Sequence, residues 1–483
     1  MIRSLANKYK TMPVQIKASL WFLICSFLQR GISMITTPIF TRVLTTAEYG
    51  QFSVFNSWQS ILTPIVCLNL FSGVYAQGVV KFDSDRARFS SSLQGLTFSL
   101  VLMWTIVYSL TSGFWNSLLE MSTFEMYSML LLIWTSGAFS FWSMNEKVDF
   151  KYRKLVAFTI ISSVIQPALS VFFIFNMENK VNARILGSVC VHLLYIGFFL
   201  VQMGKGKCFF SKRYWLYALK FNIPLIPHYL SMTILGSSDR IMISSMVGEA
   251  EAGIYSLAYS LGMIMTMFNS AMLQTIEPWI YRRLKEKRIS DLARVAYPSF
   301  MLVAGLNIAL IAFAPEIVRI FAPAEYYEAI WVIPSIALSV FFTFLYSFFA
   351  TFEFYYEKTR FISIATLSGA VLNIVLNLFG IRLFGYVAAG YTTLISYILY
   401  AFAHYTCMRK VCKENLDDAR PYDAKVIVLI GCVSIVVGFG LMATYTHPVI
   451  RYGTIALCLS LALIFRTRIM AFVRQLLSIR KAE

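Results

Sequence analysis

The stretch "LICSFLQRGISMITTPIFTRVLTTAEYG", Leu23–Gly50, sets an arginine, Arg30, near the middle of an apolar run extending from about Ala18 to Phe40. At 1.5 Å per helical residue, the nearer end of that run lies roughly 15 Å from Arg30. That is too far for the side chain to snorkel to water. The run itself has the length and apolarity of a bilayer-crossing helix, so the stretch predicts a membrane span carrying a charge at half depth.

The rest of the chain repeats the pattern. Of 483 residues, 58% are hydrophobic and only 14% charged, too little polar surface for a soluble protein of this size. Fourteen apolar stretches of spanning length follow one another, near 18–39, 52–76, 90–112, 127–146, 155–176, 184–203, 216–237, 252–276, 296–314, 328–350, 361–379, 385–407, 425–443 and 448–465. A basic leader (Arg3, Lys8, Lys10, Lys17) precedes the first, but no small-residue cleavage site follows it. It therefore reads as an uncleaved span rather than a signal peptide.

The net charge of +18 is distributed unevenly. With connections numbered alternately, the side holding both termini collects 34 Lys and Arg, and the opposite side 7. This positive-inside bias places both termini of a multi-pass membrane protein in the cytoplasm. The basic excess orients the chain and attracts anionic headgroups, so membrane lipid is the expected partner; no nucleic-acid motif accompanies it. The eight cysteines lie mostly in apolar spans (Cys25, Cys67, Cys190, Cys432, Cys458), and no Cys/His cluster has metal-ligand spacing. Neither a cofactor nor a metal is expected.

The connections are short. The longest, Tyr281–Arg294 and Met408–Lys425, read as solvated cytoplasmic connectors rather than catalytic domains. Two internal echoes appear. "TRVLTTAEYGQFSVFNSW" (Thr41–Trp58) resembles "DRIMISSMVGEAEAGIYSLAYSL" (Asp239–Leu261), and "ARILGSVCVHLLYI" (Ala183–Ile196) resembles "GYVAAGYTTLISYI" (Gly385–Ile398). Both are offset by six spans, and an even offset preserves orientation, so the repeats are parallel about an axis along the membrane normal. The expected fold is an all-α polytopic membrane protein with about fourteen spans. It has two six-helix lobes, 1–208 and 209–415, related by a pseudo-twofold axis, then 416–483 with two additional spans and a cytoplasmic tail.

Polar residues fall in stripes at helical period. Ser19, Ser26, Arg30, Ser33, Thr37 and Thr41 form one on span 1; Asn56, Gln59, Thr63 and Cys67 one on span 2. Span 7 offers His228, Ser231 and Ser238 beside Asp239; span 8 runs from Ser256 through Gln274 to Glu277; span 11 carries Thr366, Asn373 and Asn377. Small and hydroxyl residues serve close helix packing, which accounts for most Ser and Thr positions. It accounts less well for Arg30, Gln59, Glu277 and the Asn373/Asn377 pair, which are costly in hydrocarbon unless they face a partner or a watery cavity. The richest stripes lie on the matching pairs 1–2 and 7–8, which predicts a central hydrophilic cavity. Pro38, Pro64, Pro224, Pro227, Pro278 and Pro334 add expected bends.

A guanidinium at half depth in such a cavity suits a phosphate or pyrophosphate, which it binds bidentately. The bland alternative is an intramembrane salt bridge. Arg42 and Arg240 sit at outer ends of spans, and Asp239 is placed to pair with Arg240.

The segments "PIFTRVLTTAEYG" (Pro38–Gly50), "NIPLIPHYL" (Asn222–Leu230), "SSDRIMI" (Ser237–Ile243), "AGIYSLAYSL" (Ala252–Leu261) and "LNIVLNLFGIRLFGYVAAGYTTLISY" (Leu372–Tyr397) resemble the polysaccharide-export branch of the MOP superfamily, specifically Wzx-type O-antigen flippases. The resemblance implies a flippase, not an enzyme. Its substrate would be an undecaprenyl-pyrophosphate-linked oligosaccharide, an O-antigen or similar lipopolysaccharide repeat unit, moved from the cytoplasmic to the periplasmic leaflet by alternating access. A polysaccharide polymerase and a chain-length regulator would be its partners. The related lipid II flippases use cavity arginines for the pyrophosphate; Arg30 is the matching candidate, and Arg42 takes the next arginine position. The candidate substrate contacts are thus Arg30, Arg42, Gln59, His228, Asp239, Arg240, Glu277 and Asn373. Two other functions remain open. A cation-coupled, MATE-like multidrug exporter would favour acidic cavity residues, and a membrane polymerase or ligase would present a large outer loop.

Overall fold

The computed structural model describes residues 12–464, and all regular structure among them is helical. The basic leader residues Arg3, Lys8 and Lys10 and the tail beyond Ile464 lie outside the described residues, as does the Cys458 side chain. By contacts the chain divides into two compact units, Met1–Ser237 and Ser238–Glu483. Among the described residues, nine helical stretches are long and apolar enough to cross a membrane by themselves. The other expected spans are helical too where described, but broken, less apolar or, at Pro448–Ile464, slightly shorter.

The first unit holds α1 (Val14–Val43), α2 (Thr46–Val66), α3 (Gly73–Lys81), α4 (Arg86–Leu110), α5 (Ser112–Leu119), α6 (Thr123–Val148), α7 (Tyr152–Asn176), α8 (Lys180–Leu193), α9 (Ile196–Gly206) and α10 (Lys212–Asn222). A two-residue link joins α1 to α2, and Thr45 starts the second helix with a reciprocal cap: its hydroxyl accepts from the Glu48 amide while the Glu48 carboxylate accepts from the Thr45 amide at 2.8 Å. The expected continuous span over 52–76 is interrupted between Val66 and Gly73. Leu68 and Asn69 adopt left-handed backbone conformations there, and the buried Asn222 donates to the Leu68 carbonyl at 2.8 Å. That bond satisfies a backbone acceptor which the break would otherwise strand in an apolar surrounding.

Two apolar clusters form the interior of this unit. One joins Phe55, Cys67, Tyr108, Met129 and Ile133; the other joins Tyr75, Phe89, Leu93, Phe141 and Tyr214. Several of the buried polar groups are paired across helices. The Tyr75 hydroxyl donates to Ser90 at 2.7 Å and accepts from Asn145 at 2.7 Å; Arg86 holds Asn145 and Asp149. Gln94 donates to Gln202 at 2.8 Å, tying α4 to α9.

The helix α11 (Ile226–Met246) runs through the boundary between the units. The second unit continues with α12 (Glu249–Gly262), α13 (Met265–Lys285), α14 (Leu292–Ala312), α15 (Ala314–Phe321), a 3-10 segment Ala324–Trp331, α16 (Ile333–Tyr355), α17 (Thr359–Phe384), α18 (Ala388–Asn415), α19 (Ala424–Ala443) and α20 (Pro448–Ile464). Its central element is α16: 83% of its apolar window is buried, against 11% for α1. Close approach needs small residues. A Cβ on Gly390 would collide with Ser335, and one on Gly262 with Ile336. The last helix is held by Arg451, buried against Glu316, and by Tyr452, which donates to the same carboxylate at 2.6 Å.

Large apolar side chains cover the outside of both units, among them Leu110, Phe175, Phe384 and Val436. Such extensive apolar exposure belongs in lipid. The prolines divide by position. Pro38, Pro64 and Pro278 lie inside helices, whereas Pro334 stands in the first turn of α16, where no hydrogen bond is lost and no bend results.

Candidate functional site

Arg30 falls thirteen residues before the end of α1, about 20 Å of helix. Its side chain is exposed, and so are Ser26 and Ser33 on the same face. The hydroxyls of this stripe turn back onto their own helix: Ser26 donates to Phe22 at 3.0 Å, Thr37 to Ser33 at 2.9 Å and Thr41 to Pro38 at 3.2 Å. Such back-bonding satisfies a hydroxyl without any other helix, so these residues need neither cavity nor partner. The stripe therefore reduces to its charge. Arg42, also exposed, donates to the Pro38 carbonyl at 2.9 Å. Gln59 is half-buried on α2.

The C-terminal end of α1 is clamped by a residue that sequence reasoning did not single out. The Arg184 guanidinium on α8 lies 4.0 Å from the Phe40 ring centroid and 3.7 Å from that of Phe52, with Tyr49 at 5.2 Å. Three aromatic faces around one guanidinium fix α1, α2 and α8 together. The aromatic spacing of "PIFTRVLTTAEYGQF" was the available signal. At the opposite end of α1, Trp21 stacks on Tyr152 at 6.2 Å. His228 is partly buried at the start of α11, beyond the 3-10 turn Ile223–Leu225, and its Nδ1 meets no protein partner.

In the second unit, Asp239 and Asn373 come together through shared neighbours. The buried Asp239 carboxylate accepts from the Tyr255 hydroxyl at 2.6 Å, the Asn377 amide at 2.6 Å and the Thr393 hydroxyl at 2.9 Å. Asn373 accepts from Asn377 and donates to Thr393, both at 3.3 Å, and Thr392 donates to Asn377. Four helices, α11, α12, α17 and α18, thus converge on one carboxylate. Asp239 and Asn373 are sealed at 2% and 0% exposure, so in this conformation neither offers surface to a substrate. Here both belong to a buried polar core in which three donors satisfy the carboxylate. Asn377 and the Thr392–Thr393 pair were visible in the sequence as polar interruptions, but their convergence was not.

Arg240, next in sequence, is half-buried with its guanidinium 4.2 Å from the Tyr259 ring centroid. Glu277 is half-buried on α13 and followed by the helix-internal Pro278. Among the described residues, no group of three or more His, Cys, Asp or Glu is placed to hold a metal ion.

The fold is shared with solved membrane transporters. A lipid II flippase, MurJ, in an inward closed conformation shares it with a TM-score of 0.60, at 14% identity, over 89% of this chain and 99% of that one. An inward-facing multidrug resistance MATE transporter of the MOP superfamily matches with a TM-score of 0.58, at 11% identity, over 81% and 96%. A MOP-superfamily transporter from Pyrococcus furiosus matches with a TM-score of 0.55, at 13% identity, over 82% and 95%. The protein therefore has the polytopic all-helical fold of MOP-superfamily transporters.

Sequence comparison narrows the class. The chain belongs to the polysaccharide biosynthesis protein family, whose model matches residues 16–283, more than half its length. A MatE model matches residues 224–379. A protein of the Lsg locus of Haemophilus influenzae is 24% identical over 361 residues, 72% of this chain and 86% of that one. An uncharacterized membrane protein of the same organism is 23% identical over 369 residues, 74% and 88%.

Proposed function

We propose that the protein is a flippase for an undecaprenyl-pyrophosphate-linked oligosaccharide, an O-antigen or similar surface polysaccharide repeat unit. It carries the unit from the cytoplasmic to the periplasmic leaflet of a bacterial inner membrane by alternating access, with both termini in the cytoplasm. The observation carrying this reading is Arg30, an exposed guanidinium at the centre of a spanning helix. A fixed cation at half depth matches what a pyrophosphate must find on its way through a bilayer. Its fork of donors binds the phosphates bidentately, and the low dielectric strengthens the attraction.

To the phosphates and sugar we assign, beside Arg30, Arg42, Gln59 and His228 on the first unit and, separately, Arg240 and Glu277 on the second. Asp239 and Asn373 act through Arg240, by fixing the helix that carries it. Family membership and the shared MOP fold support a transport rather than an enzymatic role. A polysaccharide polymerase and a chain-length regulator are the proposed partners.

A cation-coupled drug exporter is the second reading, favoured by the MatE match over 224–379. The two differ in the sign of the deep charge, because a cationic drug is repelled where a pyrophosphate is held. The test is complementation. Expressed in a strain lacking its own flippase, the protein should restore surface polysaccharide without conferring resistance to cationic drugs. Drug resistance without polysaccharide would favour the exporter instead.

A further inference from the structure

A second buried charge site lies on α16 and α18, apart from every residue assigned above. Glu353 stands two residues before the end of α16, and His404 lies within α18. Both are completely buried, and His404 Nδ1 lies 2.9 Å from each carboxylate oxygen of Glu353. The other ring nitrogen, Nε2, is buried without a protein partner. Aromatic rings box the imidazole: Tyr346 stacks at 5.3 Å, Tyr400 meets it edge-on at 4.4 Å and Phe361 at 5.8 Å.

The groups facing the pair from the packed helices are few. From α18, the Cys407 thiol reaches Glu353, and Lys410 stands outside it, exposed. From α17 come Lys358, exposed at its start and paired with Glu414 at 2.8 Å, and Thr366, 3.2 Å from the Tyr400 hydroxyl. From α13 comes Glu277, in electrostatic reach of Tyr346 and Tyr281. From α14 and the segment before α19 come only Phe300, against Phe348, and Tyr422, against Phe352. The two cations among these groups, Lys358 and Lys410, are both exposed rather than sealed with the pair.

A sealed carboxyl–imidazole pair is electrically neutral only while it holds a single proton. Gaining or losing one leaves a net charge in a low-dielectric site, which is strongly unfavourable. The proton count of the pair can therefore change only in a conformation that admits water. That requirement links protonation to the opening and closing of the protein.

We propose that Glu353 and His404 form the proton-binding site that couples transport to a proton gradient. The proposal rests on the transport reading above. In the open conformation the pair, empty of its shared proton and singly negative, takes one from water on the proton-rich side and becomes neutral, the form that can be sealed. After the conformational change it returns that proton to water on the other side. Covalent bonds other than those to the proton are unchanged, and no co-reactant is needed.

The test joins spectroscopy and transport. Infrared difference spectra of the wild-type protein in lipid, recorded across a pH series, should show a carboxyl band that responds to pH. The band should vanish in Glu353→Gln, move in Glu353→Asp and change its pH midpoint in His404→Gln. In the flippase-null strain these variants should reach the membrane normally yet lose polysaccharide, and a protonophore should abolish wild-type activity. Wild-type polysaccharide levels in Glu353→Gln and His404→Gln, or no carboxyl titration assignable to Glu353, would overturn the proposal and leave the pair a structural tie. If Glu353→Gln fails to accumulate, Glu353→Asp decides by the position of its band. Failure of the wild type to restore polysaccharide would instead contradict the transport reading, and the spectra would still report whether the pair exchanges a proton.

Discussion

The Asn377 side-chain amide donates to the Asp239 carboxylate at 2.6 Å across 138 residues of sequence, joining α17 to α11 inside the second unit. With Tyr255 and Thr393 it completes a shell of three donors around one buried acid. A carboxylate so satisfied is a rigid anchor, and the helix it holds delivers Arg240.

Removing the anchor should destabilise the second unit. In Asp239→Leu, three buried donors lose their acceptor, at roughly 1–3 kcal/mol each before relaxation. We expect a markedly lower unfolding midpoint in detergent, with Asp239→Asn milder because it keeps one acceptor. An unchanged midpoint in Asp239→Leu would show that the shell contributes nothing to stability.

The aromatic clamp on Arg184 makes a smaller prediction. Its rings lie 3.7 and 4.0 Å away in a partly desolvated setting, worth about 1–2 kcal/mol in all. Arg184→Leu should lower stability by about that amount, and Arg184→Lys by less, since a compact ammonium stacks less well. Thermal unfolding of the purified protein checks both.

Helix contact between α7 and α8 predicts a sharp contrast between two glycines. A Cβ at Gly187 would overlap the main chain of Ser170, whose hydroxyl already donates to the Arg184 carbonyl at 3.0 Å. A Cβ at Gly31, one residue past Arg30, would meet nothing within 4 Å. Gly187→Ala should therefore reduce folded yield and cost about 1–3 kcal/mol by overpacking. Gly31→Ala should be neutral or slightly stabilising through its helix propensity. Size-exclusion profiles and unfolding midpoints of the two variants make the comparison.

The connection between α6 and α7 carries a pH prediction. Partial burial disfavours the Asp149 carboxylate, but the hydrogen bonds and charges of Lys151 and Arg86 outweigh it and hold its pKa below the ordinary value. A depressed folded pKa adds stability that is fully present above the unfolded value of about 3.9. That contribution fades as pH falls through the folded value. The difference in unfolding midpoint between wild type and Asp149→Asn should be constant near neutrality and close only in acid. A difference that instead grows as pH falls would contradict the assignment.

The spans were legible because apolar length and the grouping of charge are local signals. Each expected stretch overlaps helix, and the Ser/Thr stripe of α1 falls at the expected period. What escaped was long-range. The break after Val66 depends on Asn222, and the fate of Asp239 depends on Asn377 and Thr393, none of them near in sequence. The Glu353–His404 pair escaped likewise, because only folding brings the two together. The position of Arg30 at mid-helix was legible from the start, since helical rise alone sets its depth.

The most direct test of that residue compares wild type, Arg30→Lys and Arg30→Ala in a flippase-null strain, with membrane abundance measured alongside surface polysaccharide. The account predicts normal insertion of all three, partial polysaccharide with lysine and none with alanine, because a point charge replaces the bidentate fork only in part. Full polysaccharide with Arg30→Ala at normal abundance would contradict it.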